Sequence, residues 1–170
     1  MLSLSYGSIV KKDINTSEGL LPQNFNGYNI IEKGDIVLRL TDLQNDKKSL
    51  RTGLSKEKGI ITSAYVTIRP LENVNFSYFH YLLYAYDILK VFYNMGNGVR
   101  QGLNYAELSK LLLIEPSASE QIAIVEYIDS TMEKINTIIN LRKQQLINLN
   151  TYKKSLIYEY VTGKKSVTEA

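Results

Sequence analysis

The chain has 170 residues, 44% of them hydrophobic, which is enough for one ordinary domain with its own core and places it outside the disordered class. It has no cysteine, so a disulfide framework, a thiolate metal site and a cysteine nucleophile are excluded, and the single His80 cannot hold zinc alone. A net charge of +3 permits an acidic partner without indicating one. No apolar run approaches the roughly 18 residues of a membrane span, and "MLSLSYGSIVKKDIN" lacks the basic start and long apolar centre of a signal peptide, so the expectation is a cytoplasmic protein.

Up to about Ser117 the pattern changes often, with short apolar runs separated by Gly, Asn and Asp, as in a β-rich or α+β unit. Strands are expected over "YNIIEK" from Tyr28, "DIVLRLTD" from Asp35 and "GIITSAYVTIRP" from Gly59, the last closed by Pro70. Lys33-Gly34 reads as the turn of a hairpin joining the first two. In the second, Ile36, Leu38 and Leu40 alternate with Val37, Arg39 and Thr41, which predicts one apolar face and a reverse face that is partly wet. Between Leu43 and Gly59 lies a polar loop in which Lys47, Lys48, Arg51, Lys56 and Lys58 outnumber Asp46 and Glu57.

From Asn75 to Gly96 the period becomes helical, with Phe79, Leu82, Leu83, Tyr86, Leu89 and Phe92 spaced by three and four and Gly96 in place as a C-cap. Thirteen tyrosines stand against four phenylalanines and no tryptophan; those at 78, 81, 84 and 86 read as core and half-wet helix surface rather than as a base-stacking platform. A Gly-rich turn, a short helix over "NYAELSK" and a final strand "LLLIEP" ending at Pro116 follow.

Ser117 and Glu120 then form a capping-box signature, with Ser119 as a rival cap, and neither Pro nor Gly occurs in the 43 residues from Glu120 to Thr162. Ile128, Ile135, Arg142, Leu149 and Leu156 recur every seventh residue, and Met132, Ile139, Leu146, Lys153 and Tyr160 follow each by four. This is a coiled-coil seam with polar interruptions at Arg142 and Lys153. Such a helix is about 65 Å long at about 1.5 Å per residue, so its apolar stripe requires a partner. Arg142, once covered, requires a carboxylate or backbone acceptor and is placed to fix register. Acidic residues gather near the helix start and lysines toward its end, an order that the helix dipole favours and that an antiparallel copy would match acid to base. The expected organisation is α+β: a small β-rich unit over 1–116, one long coiled-coil-type helix over 117–163, and a flexible tail over 164–170.

Taken together, "GDIVLRLTDLQNDKKSLRTG" from Gly34, "GIITSAYVTIRP" from Gly59, "YFHYLLYAYD" from Tyr78 and "GNGVRQGLNYAELSKLLLIEPSASEQIAIVEYID" from Gly96, with the long helix, resemble the DNA specificity subunit of type I restriction-modification systems. The resemblance covers nearly the whole chain, and the junction of "LLLIEP" with "SEQIAIVEYID" is its most specific part. It implies one target recognition domain followed by one spacer helix, where a full subunit carries two such units in tandem with antiparallel helices. It also implies a half-subunit that pairs with a second copy on a palindromic split site of double-stranded DNA. Methyltransferase (modification) subunits would dock on the helices and, through them, the restriction subunit. Relative to the family, the segment before "LSLSYGSIVKKD" is short, which implies either a naturally shortened half-subunit or a fragment.

A lysine-rich loop is ordinarily a solvated surface; the resemblance turns Lys47, Lys48, Arg51, Lys56 and Lys58 into candidate phosphate contacts, with Gln44, Asn45, Ser49 and Thr52 beside them as candidates for base edges. Arg100 and Gln101 form a second candidate pair, with a turn role as equal rival, and Lys11 and Lys12 are weaker. The stretch "GNGVRQG" departs from G-x-G-x-x-G and reads as a turn, while Asp35, Asp42 and Asp46 read as turn residues rather than as acid-base groups. His80 reads as packing or surface. The expectation is a non-catalytic chain with no cofactor and no metal. The alternative is a helical assembly or regulatory half-subunit that no longer recognises DNA.

Overall fold

The computed structural model describes residues 1–13, 24–43, 48, 50–71, 73–95 and 102–167. It divides into two compact units, 1–123 and 124–170. The fold is α+β, as expected, with small antiparallel sheets and helices.

The first unit begins with a tight hairpin, β1 (Leu2–Ser5) against β2 (Ser8–Lys11), in which Ser5 faces Ser8 across a two-residue turn. Both turn residues, Tyr6 and Gly7, have positive φ, the twist that suits adjoining strands. β3 (Asn29–Ile31) pairs with β6 (Gly59–Ile61), while β4 (Ile36–Leu38) is the centre of a three-stranded sheet between β5 (Thr52–Leu54) and β7 (Val66–Ile68). The segment expected as one strand from Gly59 is therefore two strands in two sheets, separated by a turn at 63–64.

The expected hairpin of "YNIIEK" with "DIVLRLTD" does not form. Gly34, at φ +95°, does turn the chain, but its N–H donates to Ser55 O at 2.8 Å, and the chain leaves the β3–β6 sheet to enter the other. The reverse face is mixed, as expected: Val37 is buried, Arg39 half-buried and Thr41 exposed. Ile36, Leu38 and Leu40 pack with Leu43, Leu83, Phe92, Leu103 and Leu108, whereas Val37 packs on the other side with Leu2, Ile31 and Ile61. The β1–β2 hairpin supplies the cover that strand alternation alone could not show. Its close approach depends on small residues below it: a Cβ on Gly53 would stand 2.6 Å from Leu4 Cδ1, and one on Gly59 2.5 Å from Leu2 Cδ1.

α1 (Phe76–Ile88) starts at Asn75, whose side chain accepts the Tyr78 N–H at 3.1 Å. It stops well before Gly96, which lies outside the described residues. Lys90 takes a left-handed conformation (φ +61°) and the chain tightens into a 3-10 helix over Val91–Asn94, which buries Phe92 and leaves Leu89 72% exposed. α2 (Tyr105–Leu108) carries a reciprocal capping box between Asn104 and Glu107. The stretch "LLLIEP" is not a strand. Instead of a ladder, the hydroxyls of Tyr86 and Tyr78 donate to its Leu112 and Ile114 carbonyls at 3.1 and 3.0 Å, which ties it to α1.

α3 (Ala118–Val161) is 44 residues long. Ser117 is the cap: its Oγ accepts the Glu120 N–H at 3.3 Å, while Gln121 Nε2 donates to Pro116 O at 3.0 Å. Gly163, at φ +72°, ends the helix as expected, and Lys165 returns to Glu159 through its backbone N–H and an ion pair at 2.7 Å. Lys164 and Lys165 thus belong to the helix terminus, where Lys164 Nζ sits 4.6 Å from the Tyr158 ring centre, rather than to a loose tail. Residues 168–170 lie outside the described residues.

Candidate nucleic-acid interface

The polar segment between β4 and β5 is described only in part. Lys47, Gln44, Asn45 and Ser49 lie outside the described residues, as do Arg100 and Gln101. Lys48 and Lys56 are exposed. Lys58 is exposed too and pairs with Glu32 at 2.7 Å, and Lys11 pairs with Glu57 at 2.7 Å.

Arg51 is a correction. It is fully buried, not on the loop surface, and no phosphate can reach it. Its Nη1 donates to Arg39 O (3.1 Å) and Thr41 O (2.8 Å), its Nη2 to Asp42 O (3.3 Å), and its Nε to Tyr93 Oη (3.0 Å). Burial of a permanent charge is tolerated because the fork of N–H donors meets carbonyl acceptors on the chain leaving β4. Lys90 completes the arrangement, with its Nζ 4.8 Å from the Tyr93 ring centre and 3.3 Å from its hydroxyl. Arg51 therefore locks the base of the loop that the sequence assigned it to decorate. Thr52, offered as a base-edge contact, is likewise buried, in β5.

The structure brings Asp35, expected as a turn residue, together with Arg69, which nothing in the sequence singled out. Antiparallel pairing sets Ile36 opposite Ile68, so Asp35 and Arg69 face each other just beyond the register. Arg69 Nε and Nη2 donate to Asp35 Oδ1 and Oδ2 at 2.9 and 2.7 Å, and the Glu32 N–H donates to Oδ2 at 2.8 Å. The Asp35 side chain is 2% exposed while that of Arg69 is 59% exposed. Burial by itself pushes the Asp35 carboxyl up, but the Arg69 hydrogen bonds, the Glu32 N–H and the Arg69 charge together outweigh it and hold it below the ordinary carboxylate value. Asn29, Ile30 and Thr67 join this pair in lining an open groove. Thr67 Oγ1 is buried there with no hydrogen-bond partner among the described residues.

His80 sits on α1 in contact with Tyr81, ring centres 5.6 Å apart, with Nε2 buried and unpartnered among the described residues. Burial, and then the nearby Lys56 charge, lower its pKa. Among the described residues no three His, Asp or Glu side chains gather as a metal site would require, and no helix is long and apolar enough to cross a membrane.

No protein-family model matches the chain, and no curated protein matches its sequence.

Met132, Ile135, Ile139, Leu146, Leu149 and Leu156 are 39–64% exposed, and Ile128 is half-buried. The stripe is wider than the seam, because Ile138, Tyr152 and Ile157 flank it and are also exposed. Arg142 is exposed in the single chain, and its Nη1 donates to Gln145 Oε1 at 3.0 Å. Of all 44 residues of α3, only Gln121 is buried.

Proposed function

We propose that this chain is a half-type specificity subunit of a type I restriction-modification complex, a non-catalytic DNA-recognition chain that pairs through α3 with a second copy. The observation that carries the reading is the unsatisfied apolar stripe from Met132 to Leu156, in seven-residue register and on a helix too long for its own unit to cover. A two-fold axis would set two such helices antiparallel, bury both stripes and bring the acidic start of each against the basic end of the other. The resemblance carried by "LLLIEPSASEQIAIVEYID" and the exposed Lys48 and Lys56 support the DNA-binding half of the proposal. On this reading the protein acts in the cytoplasm, methyltransferase subunits dock on the paired helices, and the restriction subunit joins through them.

The test is co-production with the cognate methyltransferase subunits, followed by sequencing of adenine methylation in the host DNA. A palindromic split motif that vanishes with this chain is expected. Methylation that is unchanged without the chain, or none with it, overturns the proposal.

A second reading, a helical assembly or regulatory half-subunit without DNA recognition, is favoured by one observation: Arg51 is buried and Lys58 and Lys11 are already paired, which leaves less free positive charge for phosphates than the sequence promised. Under that reading the purified chain dimerises but shows no salt-dependent affinity for duplex DNA.

A further inference from the structure

We infer that Arg69, held by Asp35, is a base-reading arginine aimed at the paired acceptors of a guanine edge. The inference rests on the DNA-recognition reading above and names a specificity-determining residue for it. Asp35 occupies Nε and one hydrogen of Nη2, so the outer hydrogens of Nη1 and Nη2 form the side of the guanidinium left for a ligand. The carboxylate is in turn fixed by the Glu32 N–H and by its place at the end of β4, so the fork is set before any ligand arrives.

Two parallel N–H donors match guanine O6 and N7 in the major groove, the commonest specific contact of arginine. A phosphate would match the same fork in shape, but the local charge argues against it. Asp35 offsets Arg69, and Glu32 beside them offsets Lys58, so the groove offers oriented donors with little net positive charge. That combination suits a neutral base edge better than an anion. The rest of the groove fits a base pair as well. Ile30, 64% exposed, offers an apolar contact beside the ion pair.

The test is selection of binding sequences from a random duplex pool with the full chain and with Arg69→Lys and Arg69→Gln, followed by binding curves at several salt concentrations. Thermal melting of all three proteins provides the folding control. Arg69→Lys keeps the charge beside Asp35 and loses the planar fork. The expected result is a selected site with a guanine at one position. Both variants should lose about 10- to 100-fold there, accept other bases at that position, and keep their affinity for unselected DNA and their salt slope. Selection of the same site by wild type and variants overturns the role of Arg69 alone. A uniform loss on all sequences, with a salt slope lower by about one in Arg69→Gln, makes Arg69 a phosphate contact and also overturns it. Failure of the wild type to select any sequence overturns the recognition reading itself and this inference with it.

Discussion

The carboxylate of Asp87, buried on α1, accepts the backbone N–H of Arg51 at 2.5 Å, so the helix is hydrogen-bonded to the residue that enters β5. The same residue then ties its guanidinium to three carbonyls that follow β4. Helix, strand and loop base meet in one buried polar knot, where a missing partner costs more than the bond itself contributes. Asp87→Asn should lose about 1.5–3 kcal/mol, and Arg51→Met about 3 kcal/mol or more because its carbonyl acceptors stay buried without donors. Urea unfolding of each variant checks both values. A neutral Arg51→Met would mean that the guanidinium is solvated.

Acid should lower the stability of the first unit over two pH ranges with different causes. His80 has a lowered pKa in the folded state, so the unfolded chain takes up its proton first as pH falls through about 6.5 and stability declines from there toward the lower folded value. Asp35 also has a lowered pKa; its contribution is complete above the unfolded carboxyl value near 3.9 and is lost as pH falls through the folded one. Urea midpoints measured from pH 7.5 to 3 should therefore slope downward twice. His80→Gln should flatten only the upper slope, and Asp35→Asn only the lower.

The approach of the first hairpin to the sheets requires glycine at position 59. Gly59→Ala would place its Cβ 2.5 Å from Leu2 Cδ1 and 2.8 Å from Leu2 Cγ, too close for a simple rotamer change. A loss of about 1–3 kcal/mol is expected. In a double-mutant cycle Leu2→Ala should recover part of it, since the clash disappears with the side chain. Additive losses would show that the hairpin does not pack over Gly59.

If α3 pairs with a second copy, the melting temperature must rise with protein concentration. Ile139→Asp, near the middle of the exposed stripe, should abolish that dependence and give a monomer by sedimentation, while Lys143→Ala off the seam should leave both unchanged. A concentration-independent melt in the wild type would exclude self-pairing of the helix.

The long helix was legible because everything that specifies it is local: a serine cap, an uninterrupted run of helix formers, a seven-residue repeat and a terminal glycine. The strands from Tyr28 and Asp35 were legible as apolar runs, and the run from Gly59 as one strand where there are two, but the partners were not legible. Nothing local to Lys33-Gly34 says that the chain crosses between sheets, because the deciding bond comes from Ser55. Arg51 was misread for the same reason: a cation in a polar run looks solvated until Tyr93 and the carbonyls of Arg39, Thr41 and Asp42 close around it. The pairing of Asp35 with Arg69 became visible only with the register of β4 on β7, since strand ends 34 residues apart carry no mark of being opposite.

Because β4 gives Val37 to one core and Ile36 and Leu38 to the other, neither core can lose that strand without the other losing it too. Three residues of backbone are shared property. Melting one apolar cluster strips the wall from its neighbour, so two small cores, each marginal for its size, are obliged to fail together. A sheet as short as this one thereby acquires the all-or-none behaviour of a larger domain.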